Sequence, residues 1–528
     1  MANKIYKIGV DVGGTNTDAV ILDQNDAVMS AVKTPTTNDV QSGIFNSIKK
    51  VLDLSKIDVN DIAYVSLGTT HATNAIIRRK ELSKVAVVRI CLPAGKGVTP
   101  MAGWDDSIKK AMNAKYYLIH GGFEYDGRPL SNELLDYDEC MGILRDIKDR
   151  EFDAIAVTSI FSPAKDNHEK EFAKLVREYL GEDFPVTLST EIGSLGLLER
   201  ENSAILNASV VSVAKKAAVG LVDALQKLGI KGKVFFAQND GTLMDLEHAV
   251  KYPVLTIGSG PTNSTRGAAY LSQLKNCIVA DIGGTSTDVG ILVNGFPRQS
   301  AFAVEVGGVL TNFRMPDLIS IGLGGGSIVT VEGDDINIGP DSVGYQIKEK
   351  AICFGGNTLT ATDIAIAAGV AQIDDPDCDP TKLQFLDPDF VIKAMEKIQN
   401  LVIETCEKIK TSPEPLPIVL VGGGSVIMPI DVGDDSIELI KPENFGCANA
   451  IGAAIADASG EIDGLWPTLK ISREEIIQNA KARAIEKAIS MGAKEDSTQI
   501  VDLEAVPLSY LPGNVLRVKV KAAGALQL

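Results

Sequence analysis

Short apolar runs that end in glycine turns alternate along this chain with longer stretches whose apolar residues recur every three to four positions. The first pattern is that of strands, the second that of amphipathic helices. Ile5, Ile8 and Val10 run into a Gly-Gly turn, and Ala19-Val20-Ile21-Leu22 run out of it. Much later, Ile278 and Val279 enter a similar turn, and Val289-Gly290-Ile291-Leu292 leave it. Each reads as strand, glycine turn, strand, which is a hairpin. Between the two, the pattern predicts a helix over 39–54 and a strand over 63–67 leading to the loop Gly68-Thr69-Thr70-His71. A strand over 154–160, a helix from Asn167 and the longest helical stretch, 199–227, follow. Residues 86–150 read as an insertion, with Pro93, Gly95, Gly97, Pro100 and Gly103 in one loop. After the second hairpin come a glycine run at 322–327, a helix over 388–410 and a buried strand at 418–421. That strand enters Gly422-Gly423-Gly424-Ser425, and a small-residue helix over 449–458 comes next. The tail carries an amphipathic helix over 473–491 and two short strand patterns. This mixture predicts an α/β protein.

At 528 residues the chain is too long for one ordinary core. The pattern divides it into 1–200 (with the insertion), 201–465 and a helix–strand extension, 466–528. Hydrophobic residues make up 45% and charged residues 23%, a globular composition. The net charge of −18 changes the picture more. It repels nucleic acid and anionic membranes, so neither is expected as a partner, and a polyphosphate would need a cation to bind. Seven cysteines are scattered with no CxxC pair, which points to a reducing cytoplasm. The start has no signal-peptide core, and no uninterrupted apolar stretch of about 18 residues predicts a membrane helix.

The two turns are near copies. Residues 11–18 read Asp-Val-Gly-Gly-Thr-Asn-Thr-Asp and residues 281–288 read Asp-Ile-Gly-Gly-Thr-Ser-Thr-Asp, identical at six of eight positions. Gly13, Gly14, Thr15 and Asn16, and likewise Gly283, Gly284, Thr285 and Ser286, offer backbone amides and hydroxyls to an anion. Asp11 and Asp281, at the strand ends, are placed to hold a hydrated divalent cation against phosphates. Asp18 and Asp288 could contact that cation or the attacking group; a hydrogen bond closing the hairpin serves equally. Two such hairpins on two halves of a chain read as jaws on one polyphosphate. Other chemistries lack their signatures. There is no Gly-x-Ser-x-Gly elbow, no HExxH, no Walker Gly-x-x-x-x-Gly-Lys and no Gly-x-Gly-x-x-Gly after a strand.

Two phosphate hairpins, then a strand into Gly-Gly-Gly-Ser, then a small-residue helix: this order resembles the actin, sugar-kinase and heat-shock-chaperone ATPase superfamily. The resemblance implies a two-lobed actin-like (ribonuclease H-like) α/β fold with ATP and Mg²⁺ in the cleft. It places Gly422, Gly423, Gly424 and Ser425 at the adenosine, one hinge helix at 446–454 and the other within 196–218. More narrowly, the chain resembles the ATP-dependent hydantoinase/5-oxoprolinase family, A-type subunit, short form. The segments that carry this are 10–18, Gly68-Thr-Thr-His-Ala-Thr-Asn74, Gly121-Gly-Phe-Glu-Tyr-Asp-Gly-Arg128, Phe161-Ser-Pro163, Arg200-Glu201 with Asn207-Ala208, Ser259-Gly-Pro261, 281–288, 321–327, Thr360-Ala-Thr-Asp363 and Ala448-Asn-Ala-Ile-Gly452. It implies ATP-dependent opening of a cyclic amide, with the γ-phosphoryl passing to the carbonyl oxygen and a B-type partner subunit completing hydrolysis. The run Pro261-Thr-Asn-Ser-Thr-Arg-Gly267 departs from the family, where many members have a small Ala/Gly-rich turn.

His71 and Asn74 are the leading substrate-side candidates, with Glu124, Arg200 and Asn207 behind them. Plainer readings stand beside each: a satisfied structural histidine, a surface turn, an ordinary helix salt bridge. Two rival functions also stay open, a small-molecule kinase of the same fold and a regulatory ATPase whose closure switches a partner.

Overall fold

Both glycine turns fold as hairpins, and each opens a lobe of the same topology. The computed structural model describes the chain except residues 1–4, 14–15, 36–39, 70, 301–302, 334, 456, 469–470, 509–513 and 528, and the side chains of residues 35, 40 and 71. In the first lobe Tyr6–Val12, Asn16–Leu22 and Val28–Pro35 form an antiparallel trio. Ile62–Gly68 then pairs parallel on the other side of the first strand, and Lys233–Ala237 pairs parallel beyond it. In the second lobe Cys277–Ile282, Thr287–Val293 and Leu318–Ile321 repeat the trio. Ile418–Val421 and Leu439–Ile440 repeat the parallel pair. The repetition reaches the register: Asp11 stands opposite Asp18, and Asp281 opposite Asp288. This is the two-lobed α/β arrangement expected.

The first sheet runs on. Leu243–Asp245, Ala458–Pro467, Val515–Gly524 and Gln499–Leu508 extend it to nine strands. Helix Arg473–Ser490 packs on this extension through Ile476, Ala480, Ala484 and Ala488. The tail is therefore an edge of the first lobe's sheet. The boundary drawn at 465/466 falls inside strand Ala458–Pro467, and the one at 200/201 falls inside helix Leu197–Lys227.

The insertion is longer than 86–150. Its four strands, Lys115–His120, Val85–Leu92, Ala154–Ser159 and Val186–Leu188, form one parallel sheet. Ala154–Ser159 belongs to it because it pairs with Val85–Leu92, a non-local choice that no run of residues announces.

Two expectations are corrected. Leu197–Lys227 is, by length and composition, apolar enough to cross a membrane, although no such segment is expected from the uninterrupted runs. Half of its apolar window is buried inside the fold. Ile205, Leu206 and Val210 sit in one core, and Leu221 and Leu225 in that of the first sheet. The second correction concerns the hinge. The helix packed against Ala448–Ala454 is Ser259–Ser272, not the 196–218 stretch. The supposed turn at 261–267 is the middle of this helix. A Cβ on Gly267 would lie 1.9 Å from the Ala448 carbonyl oxygen, and one on Gly452 would lie 1.9 Å from that of Asn263. The helices touch backbone to backbone, which requires glycine at both points.

Candidate active site

The helix crossing sits between the two hairpins and joins their leading carboxylates. Asn263 Nδ2 donates to Asp11 Oδ1 at 3.3 Å, and Asn449 Nδ2 donates to Asp11 Oδ2 at 3.5 Å. Ser264 Oγ contacts Asp281 Oδ2 and lies 2.6 Å from Asn449 Oδ1. A hydroxyl has one proton, so both contacts are met together only when Asp281 is protonated or Asn449 turns its amide nitrogen inward. Asp11, Asn449, Ser264 and Asp281 thus form one chain of contacts from lobe to lobe.

Burial sets the charge state of this chain. Loss of water pushes the Asp11 carboxyl up to about 6, with the Asp18 charge adding to the rise and Asn263 and Asn449 opposing it. Asp281 is likewise pushed up to about 6, by burial against the hydrogen bond from Ser264, with Asp288 and Asp11 adding to the rise. Asp18 and Asp288 are also raised by burial. Like charges directly opposite on neighbouring strands destabilise a sheet, yet the arrangement occurs twice. The Asp18 Oδ1 atom is buried with no hydrogen-bond partner among the described residues. That oxygen is open to a further donor or cation, since Lys33 holds only Oδ2.

The same shifts give a stability prediction. Both carboxylates are neutral, folded or unfolded, well below the ordinary 3.8, and contribute nothing there. Between 3.8 and about 6 the unfolded chain releases its protons first, so stability falls as pH rises; above 6 the loss is constant. Each shift corresponds to about 3 kcal/mol at most. In EDTA, denaturant unfolding of the wild type should lose stability from pH 4.5 to 7, and Asp11→Asn should flatten that slope. Equal slopes in the two proteins would contradict the buried-carboxylate account.

Each carboxylate also has a glycine pressed against it from the parallel neighbour strand. A Cβ on Gly68 would stand 2.2 Å from Asp11 Oδ1, and one on Gly422 would stand 2.2 Å from Asp281 Oδ1. Gly422 additionally holds φ +85, a conformation that favours glycine. The hairpin tips close alike: Gly13 N–H donates to the Asn16 carbonyl and Gly283 N–H to the Ser286 carbonyl, both at 2.9 Å. Gly14 and Thr15 lie outside the described residues. At the second tip, Gly325 and Gly326 N–H donate to the Gly283 and Gly284 carbonyls at 3.0 and 2.8 Å. The 322–327 run is thus a backbone support for that tip. Residues 422–425 pack there too, since a Cβ on Gly424 would meet the Gly283 carbonyl oxygen at 2.0 Å.

Other candidates lie elsewhere or serve the fold. Arg200 is buried and donates to Ser189 Oγ at 3.0 Å and to the Ser159 and Ser194 carbonyls at 2.9 and 3.1 Å. Asn207 is buried and donates to Thr187 Oγ1 and the Lys251 carbonyl. These bonds tie helix Leu197–Lys227 to its neighbours. Both side chains reach the same neighbouring segment, Arg200 at Ser189 and Asn207 at Thr187, so their shared helical face is used for packing bonds. Glu124 lies in a turn of the insertion whose Tyr125 packs with Leu465, Leu508 and Val515 of the tail. Helix His71–Arg78 starts three residues after Gly68; Asn74 is exposed on it, and the His71 side chain lies outside the described residues. Asn263, Ser264, Asn449 and Lys33 belong to the site and are not predicted from the pattern. Lys33 Nζ donates to Asp18 Oδ2 at 2.6 Å. The signal for Asn263 and Ser264 was the polar run 261–267, which reads as a loop until its glycine is seen at a helix crossing.

Among the described residues, no three carboxylate, histidine or cysteine side chains gather as a metal cage. Mg²⁺ does not require one: it commonly keeps several waters and takes one or two carboxylates plus phosphate oxygens. Asp11 and Asp281, with the unpartnered oxygen of Asp18, fit that use.

Comparison with known proteins agrees with this picture. Residues 7–180 match the hydantoinase/oxoprolinase N-terminal region, and residues 200–461 match hydantoinase/oxoprolinase. The acetophenone carboxylase gamma subunit of Aromatoleum aromaticum is 28% identical over 70% of this chain and 54% of its own length. The caprolactamase subunit alpha of Pseudomonas jessenii is 25% identical over 70% of this chain and 55% of its own length. The chain thus spans about half the length of these two relatives. The crystal structure of the ATP-dependent caprolactamase from Pseudomonas jessenii superposes with a TM-score of 0.77 at 17% identity, covering 99% of this chain and 88% of that one. With both halves of the chain matched in order, this protein belongs to the hydantoinase/oxoprolinase family.

Proposed function

We propose that this chain is the ATP-binding subunit of an enzyme that opens a cyclic amide, such as a hydantoin, an oxoproline or a lactam. The observation that supports it most is the doubled carboxylate hairpin, joined by the Asn263/Ser264–Asn449 crossing, in a chain of this family. In this reading the two hairpin tips, with Gly13–Asn16 and Gly283–Ser286, hold the phosphates, and residues 422–425 take the adenosine. Asp11 and Asp281 would hold Mg²⁺, which supplies charge neutralisation to the phosphates. Asp18 and Asp288 orient the first pair, and His71 and Asn74, on the segment leaving Gly68, are the residues proposed for the small molecule.

The chemistry suits such a site. An amide carbonyl is a poor electrophile because the nitrogen lone pair is delocalised into it. Passing the γ-phosphoryl from ATP to the carbonyl oxygen, with ADP leaving and the ring nitrogen giving its proton to water, makes an imidate whose phosphate is a good leaving group. That oxygen carries no proton, so no strong base is needed; phosphoryl transfer asks mainly for positioning and charge neutralisation. Water would attack on a B-type or other partner subunit, in the cytoplasm. A second reading has its own support, since the relative at 28% identity is a carboxylase subunit. There the phosphoryl acceptor would be the oxygen of a ketone, which gives up an α-proton as the enol phosphate forms and ADP leaves.

The test is ATP turnover by the purified chain across cyclic amides and ketones, alone and with a co-expressed partner. Stimulation by a cyclic amide, with ring opening only when the partner is present, is expected. Ring opening by the chain alone at the full rate would defeat the division of labour, and stimulation by ketones only would select the second reading.

A further inference from the structure

Lys33 stands on the third strand of the first trio, in direct register with Asp18. Its ammonium holds Asp18 Oδ2 at 2.6 Å, while Oδ1 of the same carboxylate is buried without a partner among the described residues. The pair is lopsided: the Asp18 side chain is 10% exposed and that of Lys33 is 37% exposed. Two observations locate the exposed end. The Lys33 charge acts on Asp11 and Asp281 as well as on Asp18, favouring the ionised form of each. A Cβ on Gly423 would lie 3.8 Å from Lys33 Cε. Lys33 therefore reaches from the first hairpin toward the glycine turn of the opposite lobe, beside the chain of contacts that joins the leading carboxylates.

Such a pair is built to be exchanged. A half-exposed ion pair is worth little, whereas a buried carboxylate oxygen with no partner is costly. A lysine is a point charge on a flexible stem, so it can change partners without moving the strand. We infer that Lys33 is a phosphate-contacting residue that exchanges its pairing with Asp18 for the terminal phosphate of a bound nucleoside triphosphate. The move releases the Asp18 carboxylate to the accompanying cation. This rests on the reading of the cleft as an ATP site and adds to it a residue that separates triphosphate from diphosphate. A diphosphate lacks the group that lies between the two hairpins, so it gives Lys33 nothing to exchange for.

The experiment uses the full chain with Mg²⁺ and measures binding of ADP and of a non-hydrolysable ATP analogue by calorimetry. Lys33→Met should weaken the analogue about tenfold or more, a single lost charge-assisted contact, and leave ADP within about twofold. Lys33→Arg should keep most of the analogue affinity. Equal losses for both nucleotides, or no loss, would overturn the assignment and leave Lys33 as a neutraliser of Asp18. Labelling of the wild-type amine with a lysine-reactive acylating reagent reads the same exchange without any variant. Stronger protection of Lys33 by the analogue than by ADP is expected, and equal protection overturns the assignment. A wild-type chain that binds neither nucleotide removes the ATP reading itself, so the two failures are told apart.

Discussion

Asp281→Ala and Asp11→Ala are each expected to abolish Mg²⁺-dependent ATP turnover while the chain stays folded. Both carboxylates are buried, pushed up to about 6, and face a second carboxylate directly across their hairpins. An arrangement of buried like charges that costs stability by itself makes sense as a holder of a cation. Removing either leaves the phosphates without a partner for their charge, and charge neutralisation in phosphoryl transfer is worth on the order of several kcal/mol, or about a thousandfold in rate. The fold should tolerate the change, because the substitution also removes a desolvated like-charge contact. Phosphate release at saturating Mg²⁺, with unfolding followed on the same preparations, decides the matter. Near-wild-type turnover in either variant would end the paired-jaw reading.

What was legible in the sequence was local. The octapeptides at 11–18 and 281–288 carry both hairpins and both carboxylate pairs, because strand alternation and a Gly-Gly turn define a hairpin within eight residues. Strand Ile418–Val421 and helix Pro388–Lys408 are legible for the same reason, an apolar run and an amphipathic repeat with clear ends. What depends on pairing between distant segments was not. Lys33 looks like one polar position in an alternating strand; only its register with Asp18 gives it a role. Asn263 and Ser264 look like loop residues, and Ser259–Ser272 becomes a core helix only because Ala448–Ala454 lies against it. Arg200 and Asn207 are legible as one helical face, but the bonds that face makes, to Ser189 and Thr187 of one distant segment, depend on long-range packing.

The helix crossing makes the last expectation the most structural one. Gly267→Ala and Gly452→Ala should each destabilise the chain and weaken nucleotide binding beyond what the stability loss explains. The added methyl in each case meets a backbone carbonyl at 1.9 Å, far inside contact distance, and backbone has no rotamer with which to give way. The helices must separate, and overpacking of this kind costs about 1–3 kcal/mol. Separation has a second effect, because one helix carries Asn263 and Ser264 and the other carries Asn449. Moving them apart breaks the contacts that join Asp11 to Asp281. Gly260→Ala, on the same helix as Gly267 but with nothing within 4 Å of the new carbon, is the matched control and should be close to neutral or slightly stabilising. Denaturant unfolding and ATP binding would be measured on all three variants. If Gly267→Ala and Gly452→Ala behave like Gly260→Ala, the two helices do not meet backbone to backbone, and the crossing is not what sets the distance between the two carboxylates.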